Sequence, residues 1–244
     1  MSEREEVQLE RGYVLHQRAY KNSSQLVDCL TEGHGLVTLV AQGSRRLASG
    51  RRAMLQPFLP LRLSWLRRGE LGRLTHVEFC HPLPVLSGKS LLAGYYLNEL
   101  LIRLTARGDA NSDVFSCYSR CLEDLDASAG KSRALRLFEL RLLRGLGYAL
   151  ELDRDVVTGE PLTPDLMYRY EAERGPSLGS GAGYGDEQYS GRDLISLRDE
   201  VLDDDQALRS AKRLLSRLLR FYLGDRPLKT RTVLMEILGR GLAL

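Results

Sequence analysis

The sequence predicts a multidomain β + α chain, with a small closed β-barrel over residues 1–81 followed by a mainly α-helical domain over residues 82–244. Three observations carry this prediction. Five runs of strand composition fall within about the first eighty residues, each bounded by turn residues. No helical pattern lies between them, so the crossover that joins parallel neighbouring strands is missing and short connections must close the sheet. After His81-Pro82-Leu83-Pro84 the apolar period changes to the three- and four-residue steps of helices.

The strand runs are residues 10–20 (ERGYVLHQRAY), 25–31 (QLVDCLT), 35–42, 58–66 and 72–80 (GRLTHVEFC). Asn22-Ser23, Glu32-Gly33, a long arginine-bearing loop and Arg68-Gly69 separate them. In the third run Leu36, Thr38 and Val40 alternate with Val37, Leu39 and Ala41, the apolar-rich pattern of a strand covered on both sides. Five short strands with these connections describe an OB-like barrel.

The loop between the third and fourth runs holds Arg45, Arg46, Arg51 and Arg52 and no acid, spaced by Gly43, Ser44, Ser49 and Gly50. Small residues there are expected to keep the backbone mobile and to let the guanidinium groups follow a phosphate chain. The alternative is a solvated, disordered hairpin tip.

In the second part, residues 86–107 are nearly all apolar, and residues 113–125 and 132–146 are amphipathic, split by Ser128-Ala129-Gly130. Residues 155–164 are turn-rich, Met167-Tyr168-Arg169-Tyr170 suits a short strand, and six glycines lie in residues 173–191, so about 150–191 is expected to be an irregular, exposed insertion. Its GSGAGYG is not a dinucleotide fingerprint, because Tyr184 or Asp186 stands where the third glycine belongs. Gly88-Lys89-Ser90 likewise lacks the first glycine of a phosphate loop, Leu83 standing in its place. Asp203, Asp204 and Asp205 suit the positive start of a last long helix that Gly224 stops. On that helix Leu208, Ala211, Leu215, Leu218 and Tyr222 form an apolar seam, with Arg209, Arg213, Ser216 and Arg220 opposite and Arg226, Lys229 and Arg231 beyond.

The formal charge of +3 hides an asymmetry, since residues 11–75 hold eleven Lys/Arg against three acids, a net of +8. That imbalance suits a polyanion-binding module. Cys29, Cys80, Cys117 and Cys121 have neither C-x-x-C spacing nor the density of a disulfide scaffold, so reduced thiols and a cytoplasmic protein are expected, with no metal and no cofactor. The charged start MSEREEVQLERG is not a signal peptide, and the apolar run 91–104 is broken by Asn98, Glu99 and Arg103 and too short to span a membrane.

The arginine loop leading into Leu55-Gln56-Pro57-Phe58 is followed by Asn98-Glu99-Leu100-Leu101, Phe138-Glu139-Leu140, Leu146-Gly147-Tyr148, Ala211-Lys212-Arg213 and LGDRPLKTR at 223–231. In this order and spacing the sequence resembles the bacterial RecO family of DNA-repair mediators over almost its whole length. The resemblance implies an N-terminal OB fold and a C-terminal helical domain. It also implies binding of single- and double-stranded DNA, annealing of complementary strands, and loading of RecA with RecR and single-stranded DNA-binding protein (SSB). Many relatives carry a four-cysteine zinc site after the Leu-Gly-Tyr helix, but residues 149–164 here hold no cysteine.

DNA is therefore expected on Arg45, Arg46, Arg51 and Arg52, with a second surface on Arg209, Lys212, Arg213, Arg220, Lys229 and Arg231, whose alternative is a solvated helix face. The acidic, Phe-terminated SSB tail that the resemblance implies needs an apolar pocket rimmed by cations, and Arg136, Leu140 and Arg144 lie at four-residue steps on one helix face. Two other classes compete. A nuclease would need clustered carboxylates, and the dense group Asp203–Asp205 is explained by a helix start. An RNA-binding OB protein of translation would need exposed stacking aromatics, and the basic strands offer only Tyr13, Tyr20, Phe58 and Trp65.

Overall fold

The computed structural model describes residues 5–46, 49–69, 71–80, 86–127, 130–148, 150–179 and 188–233. Its first five strands, β1 (Glu5–Tyr20), β2 (Ser24–Thr31), β3 (Gly35–Ala41), β4 (Leu61–Arg68) and β5 (Leu71–Phe79), close a barrel in the order β1-β2-β3-β5-β4. That order, with β3 and β5 parallel and every other pair antiparallel, is the OB arrangement. Val27, Cys29, Val37, Leu39, Leu61, Leu63, Trp65, Leu74 and Val77 fill the interior at alternate positions along their strands, except across the bulge between Leu74 and Val77.

β1 begins five residues before the expected start, at Glu5 rather than Glu10. The charged run EEVQLE obscured it, yet its alternation places Val7 in the core opposite Trp65. Register shifts at Val7/Glu10 and again at Val14/His16 bend this one strand so that it pairs with both β4 and β2. β4 starts later than expected, at Leu61, because Phe58 sits at φ 72° between Pro57 and Pro60, residues that cannot donate to a ladder. β3 and β4 are not hairpin partners. Between them runs a connection containing the short helix α1 (Arg51–Met54), and Leu55 just after it is fully buried in the barrel core.

The prolyl segment His81-Pro82-Leu83-Pro84, where the period changes, lies outside the described residues. Helices α2 (Gly88–Leu104) and α3 (Ser112–Asp126) follow it, close to the expected ranges. Chain packing divides the protein into one compact unit of residues 1–128 with 227–244 and a second of residues 129–226. Within the first, Asn98 of α2 donates to the Leu15 carbonyl at 2.9 Å and accepts from the Tyr118 hydroxyl at 2.6 Å. The Tyr13 ring meets those of Phe115 and Tyr118. Burial raises the pKa of the Tyr118 hydroxyl well above its ordinary value, so it stays protonated and donates.

The second unit contains α4 (Lys131–Gly145), strands β6 (Met167–Glu171), β7 (Gly175–Leu178) and β8 (Gln188–Ser190), and helices α5 (Gly191–Arg198) and α6 (Asp205–Leu223). The expectation of an irregular, exposed insertion over about 150–191 is corrected here. β7-β6-β8 form a three-stranded antiparallel sheet, and Tyr168, Tyr170 and Tyr189 on it are buried. Residues 180–187, most of GSGAGYG, lie outside the described residues. Asp155 organises the loop before the sheet. Its Oδ1 accepts from the backbone N–H of Val157 (2.7 Å) and Thr158 (3.0 Å), and its Oδ2 from that of Leu178 (2.7 Å).

Candidate nucleic-acid interface

Hydrogen bonds tie described parts of the arginine loop to the barrel. Ser44 is fully buried and its hydroxyl donates to the Ala41 carbonyl, while the Arg45 N–H bonds the Ser23 carbonyl at 3.0 Å, tying the loop to the β1–β2 turn. The Ser49 N–H bonds the Arg46 carbonyl at 2.9 Å, and α1 carries Arg51 and Arg52. These hydrogen bonds hold the described residues on either side of positions 47–48, which lie outside the described residues. Arg45, Arg46 and Arg52 are exposed and Arg51 is half-buried, its Nη2 donating to the Thr75 carbonyl at 3.1 Å. Among the described residues none of the four forms an ion pair. Their charge is therefore not cancelled by a described carboxylate.

On α6, Ala207, Ser210, Ala211, Leu214, Leu215, Leu218 and Leu219 are buried, while Leu208 and Tyr222, expected in the seam, are only half-buried. Arg209, Lys212, Arg213 and Arg220 are all exposed, and so is Arg217, which sequence reasoning passed over. The four-residue step from Arg213 to Arg217 was the available signal. Arg213 lies over the Tyr189 ring with its guanidinium carbon 5.2 Å from the centroid, and donates to the Gln188 carbonyl at 3.3 Å. Lys229 and Arg231 are exposed but belong to the other compact unit.

The helix start is explained by capping. Asp204 accepts from the Ala207 N–H at 2.7 Å and Asp203 pairs with Arg133 at 3.6 Å. Among the described residues no group of three or more His, Cys, Asp or Glu gathers as a metal site. Nor is any described helix long and apolar enough to cross a membrane. Burial, with the charge of Asp28 beside it, pushes the Cys29 thiol up, away from the reactive thiolate.

α4 departs most from its expected role. Leu140 is fully buried and Arg136 nearly so, its Nη2 2.7 Å from the Oε1 of Glu139, which has no exposed side chain surface. These two residues do not line an open pocket. Only Arg144 of the expected trio is exposed, and with Arg141 it holds Glu200, Arg141 Nε donating to that carboxylate at 3.0 Å. The reason is geometric, because three residues at four-residue steps share a face and α4 turns part of that face toward its own core.

Two family models cover nearly the whole chain, "Recombination protein O N terminal" over residues 6–83 and "Recombination protein O C terminal" over residues 86–232. The chain is a RecO family member. DNA repair protein RecO of Nitrosococcus oceani is 42% identical over 231 residues, covering 95% of this chain and 94% of the relative. Those of Nitrosospira multiformis and Methylococcus capsulatus are 41% and 40% identical, each covering 92% of this chain and 93% and 92% of the relative. The RecO-like motifs have distinct structural duties here. Glu99 binds the start of the segment carrying Lys229 and Arg231, Glu139 is the buried partner of Arg136, and Tyr148 stacks on Tyr222 with ring centroids 3.9 Å apart. Residues 149–164, without a cysteine, do not supply the donor set of a four-cysteine zinc site.

Proposed function

We propose that this RecO family protein is a non-catalytic mediator of recombinational repair that binds single- and double-stranded DNA, anneals complementary strands and assists RecA loading on SSB-coated DNA. The observation that carries this reading is the barrel loop whose four arginines pair with no carboxylate among the described residues. Guanidinium groups in that state release counterions from a phosphate backbone and impose no base preference. The exposed face of α6 provides the second basic surface that annealing needs, because two strands approach only when both are neutralised. The nuclease alternative is weakened by Asp204 acting as a cap, and the RNA-reader alternative by the burial of Tyr13, Phe58 and Trp65.

Replacing Arg45, Arg46, Arg51 and Arg52 by Ala tests the reading. Removing one arginine–phosphate pairing with single-stranded DNA flattens the log–log salt slope by about 0.7, so the slope of the quadruple variant should be shallower by up to about 2.8 with base preference unchanged. An unaltered slope rejects the loop as the interface. RecR and the SSB tail are the proposed partners, with Arg144 steering the acidic tail to the second unit and Arg136 and Leu140 shaping the helix beneath it. Binding of a labelled tail peptide to Arg144→Ala tests that assignment, and wild-type affinity rejects it.

A further inference from the structure

α6 ends differently from the way it begins. At 3.6 residues per turn, Ser210, Leu214 and Phe221 project within about 40° of one another around the helix axis. Ser210 is 2% exposed and Leu214 1%, whereas Phe221 is 54% exposed. The core that covers the first two stops short of the last turn, and the side chain placed there is nonetheless aromatic. Arg213 and Arg217 precede Phe221 at four-residue steps and Arg220 adjoins it, and all three are exposed.

The ring is braced from below. Phe221 and Tyr222 stand nearly perpendicular, at 85° with centroids 5.2 Å apart, and Tyr222 lies on Tyr148 at 30° and 3.9 Å. An edge-to-face contact is a favoured aromatic arrangement, so it orients Phe221 while leaving the ring open to solvent. Tyr148 and Tyr222 are half-buried and turn their faces to each other. Among the described residues none of Arg213, Arg217 and Arg220 forms an ion pair. One helical turn, about 6 Å, separates Arg217 from Phe221, the reach of one nucleotide.

We propose that Phe221 is a stacking platform for one unpaired nucleobase, with the neighbouring phosphates on Arg217 and Arg220, so that the end of α6 selects a single strand over a duplex. A base–aromatic stack needs a bare π-face, which an unpaired base offers and a base inside a duplex buries against its neighbours. Arginine–phosphate contacts are blind to that difference. The ring therefore gives the basic face a preference that charge alone does not supply. That preference is lost when the held strand pairs with its complement, which lets the annealed product leave the face. The proposal rests on the reading of α6 as a DNA surface and adds the strand state to it.

The test is photocrosslinking of the full chain to oligothymidylate carrying a single 5-iodouracil, a base that couples to an aromatic ring stacked on it. The crosslink should map to Phe221, disappear in Phe221→Leu, and fall severalfold when the oligonucleotide is first annealed to its complement. Phe221→Leu keeps an apolar side chain and every charge, so it should weaken oligothymidylate binding by roughly tenfold while the salt slope, duplex affinity and thermal midpoint stay as in the wild type. Phe221→Trp should restore the lost affinity. Wild-type single-strand affinity in Phe221→Leu, or equal weakening for single strand and duplex, overturns the proposal. Arg213→Gln with Arg217→Gln reads the surface beneath it, and loss of two single-strand phosphate contacts flattens the log–log slope by about 1.4. That flattening beside an unaffected Phe221→Leu overturns the stacking alone, and an unaltered slope overturns α6 as a DNA surface.

Discussion

Glu99 on α2 accepts hydrogen bonds from the backbone N–H and the hydroxyl of Thr230, 131 residues later, at 2.9 and 2.7 Å, and from the Lys229 N–H at 2.7 Å. A carboxylate at the first N–H groups of a helical turn satisfies orphan donors and complements their positive end. The contact therefore holds the described segment 229–233, with Lys229 and Arg231, on the unit that contains the barrel.

Glu99→Ala should release that end. A hydrogen bond to a charged group contributes about 1.5–3 kcal/mol, so amide exchange at 229–233 should accelerate by roughly tenfold or more while β2 and β3 keep their protection. Unchanged exchange at Thr230 would remove the anchoring role of Glu99.

The buried pair on α4 should be costly to split. Arg136→Ala strips the guanidinium from a carboxylate with no solvent exposure, and breaking a buried pair costs about 3–5 kcal/mol, whereas Arg144→Ala at the surface should cost about 1 kcal/mol or less. Joint replacement of Arg136 and Glu139 by apolar residues should recover part of the loss. Urea denaturation of the four proteins measures the ranking.

Asp155 should make the second unit acid-sensitive. Burial pushes its carboxyl up, but the Thr158, Val157 and Leu178 N–H groups that it accepts from outweigh this and leave it below the ordinary carboxylate value. A folded-state pKa below the unfolded one contributes stability above about pH 4, lost as the pH falls through the folded value. Asp155→Asn should lower stability at pH 7 and flatten the decline below about pH 4; thermal unfolding followed against pH by circular dichroism checks both.

On α6, Arg209→Gln with Arg213→Gln and Arg217→Gln should slow strand annealing and lessen its salt dependence without lowering the thermal midpoint by more than a few degrees, since all three are exposed. Annealing at the wild-type rate would reduce this face to a solvated surface.

The sequence by itself determined the local order of the molecule. Strand composition bounded by turn residues located the five barrel strands, and the change to helical period located α2, α3, α4 and α6 within a few residues. Capping chemistry at Asp204 and the exposed arginine face of α6 were equally legible, since both follow from positions along a single helix. The family was legible from motif order. What the tertiary structure decided depends on partners distant in sequence. The sheet β6-β7-β8 needed pairing across residues 167–190, and its few short strands carried little periodic signal. Arg136 and Leu140 read as a cation-rimmed docking face until packing buried them, because spacing tells which residues share a helix face but not what covers it. Asp28, Arg18 and Arg107 became one group only when the barrel closed and the segment after α2 lay along β3, a joining of residues up to 89 positions apart that no local pattern records.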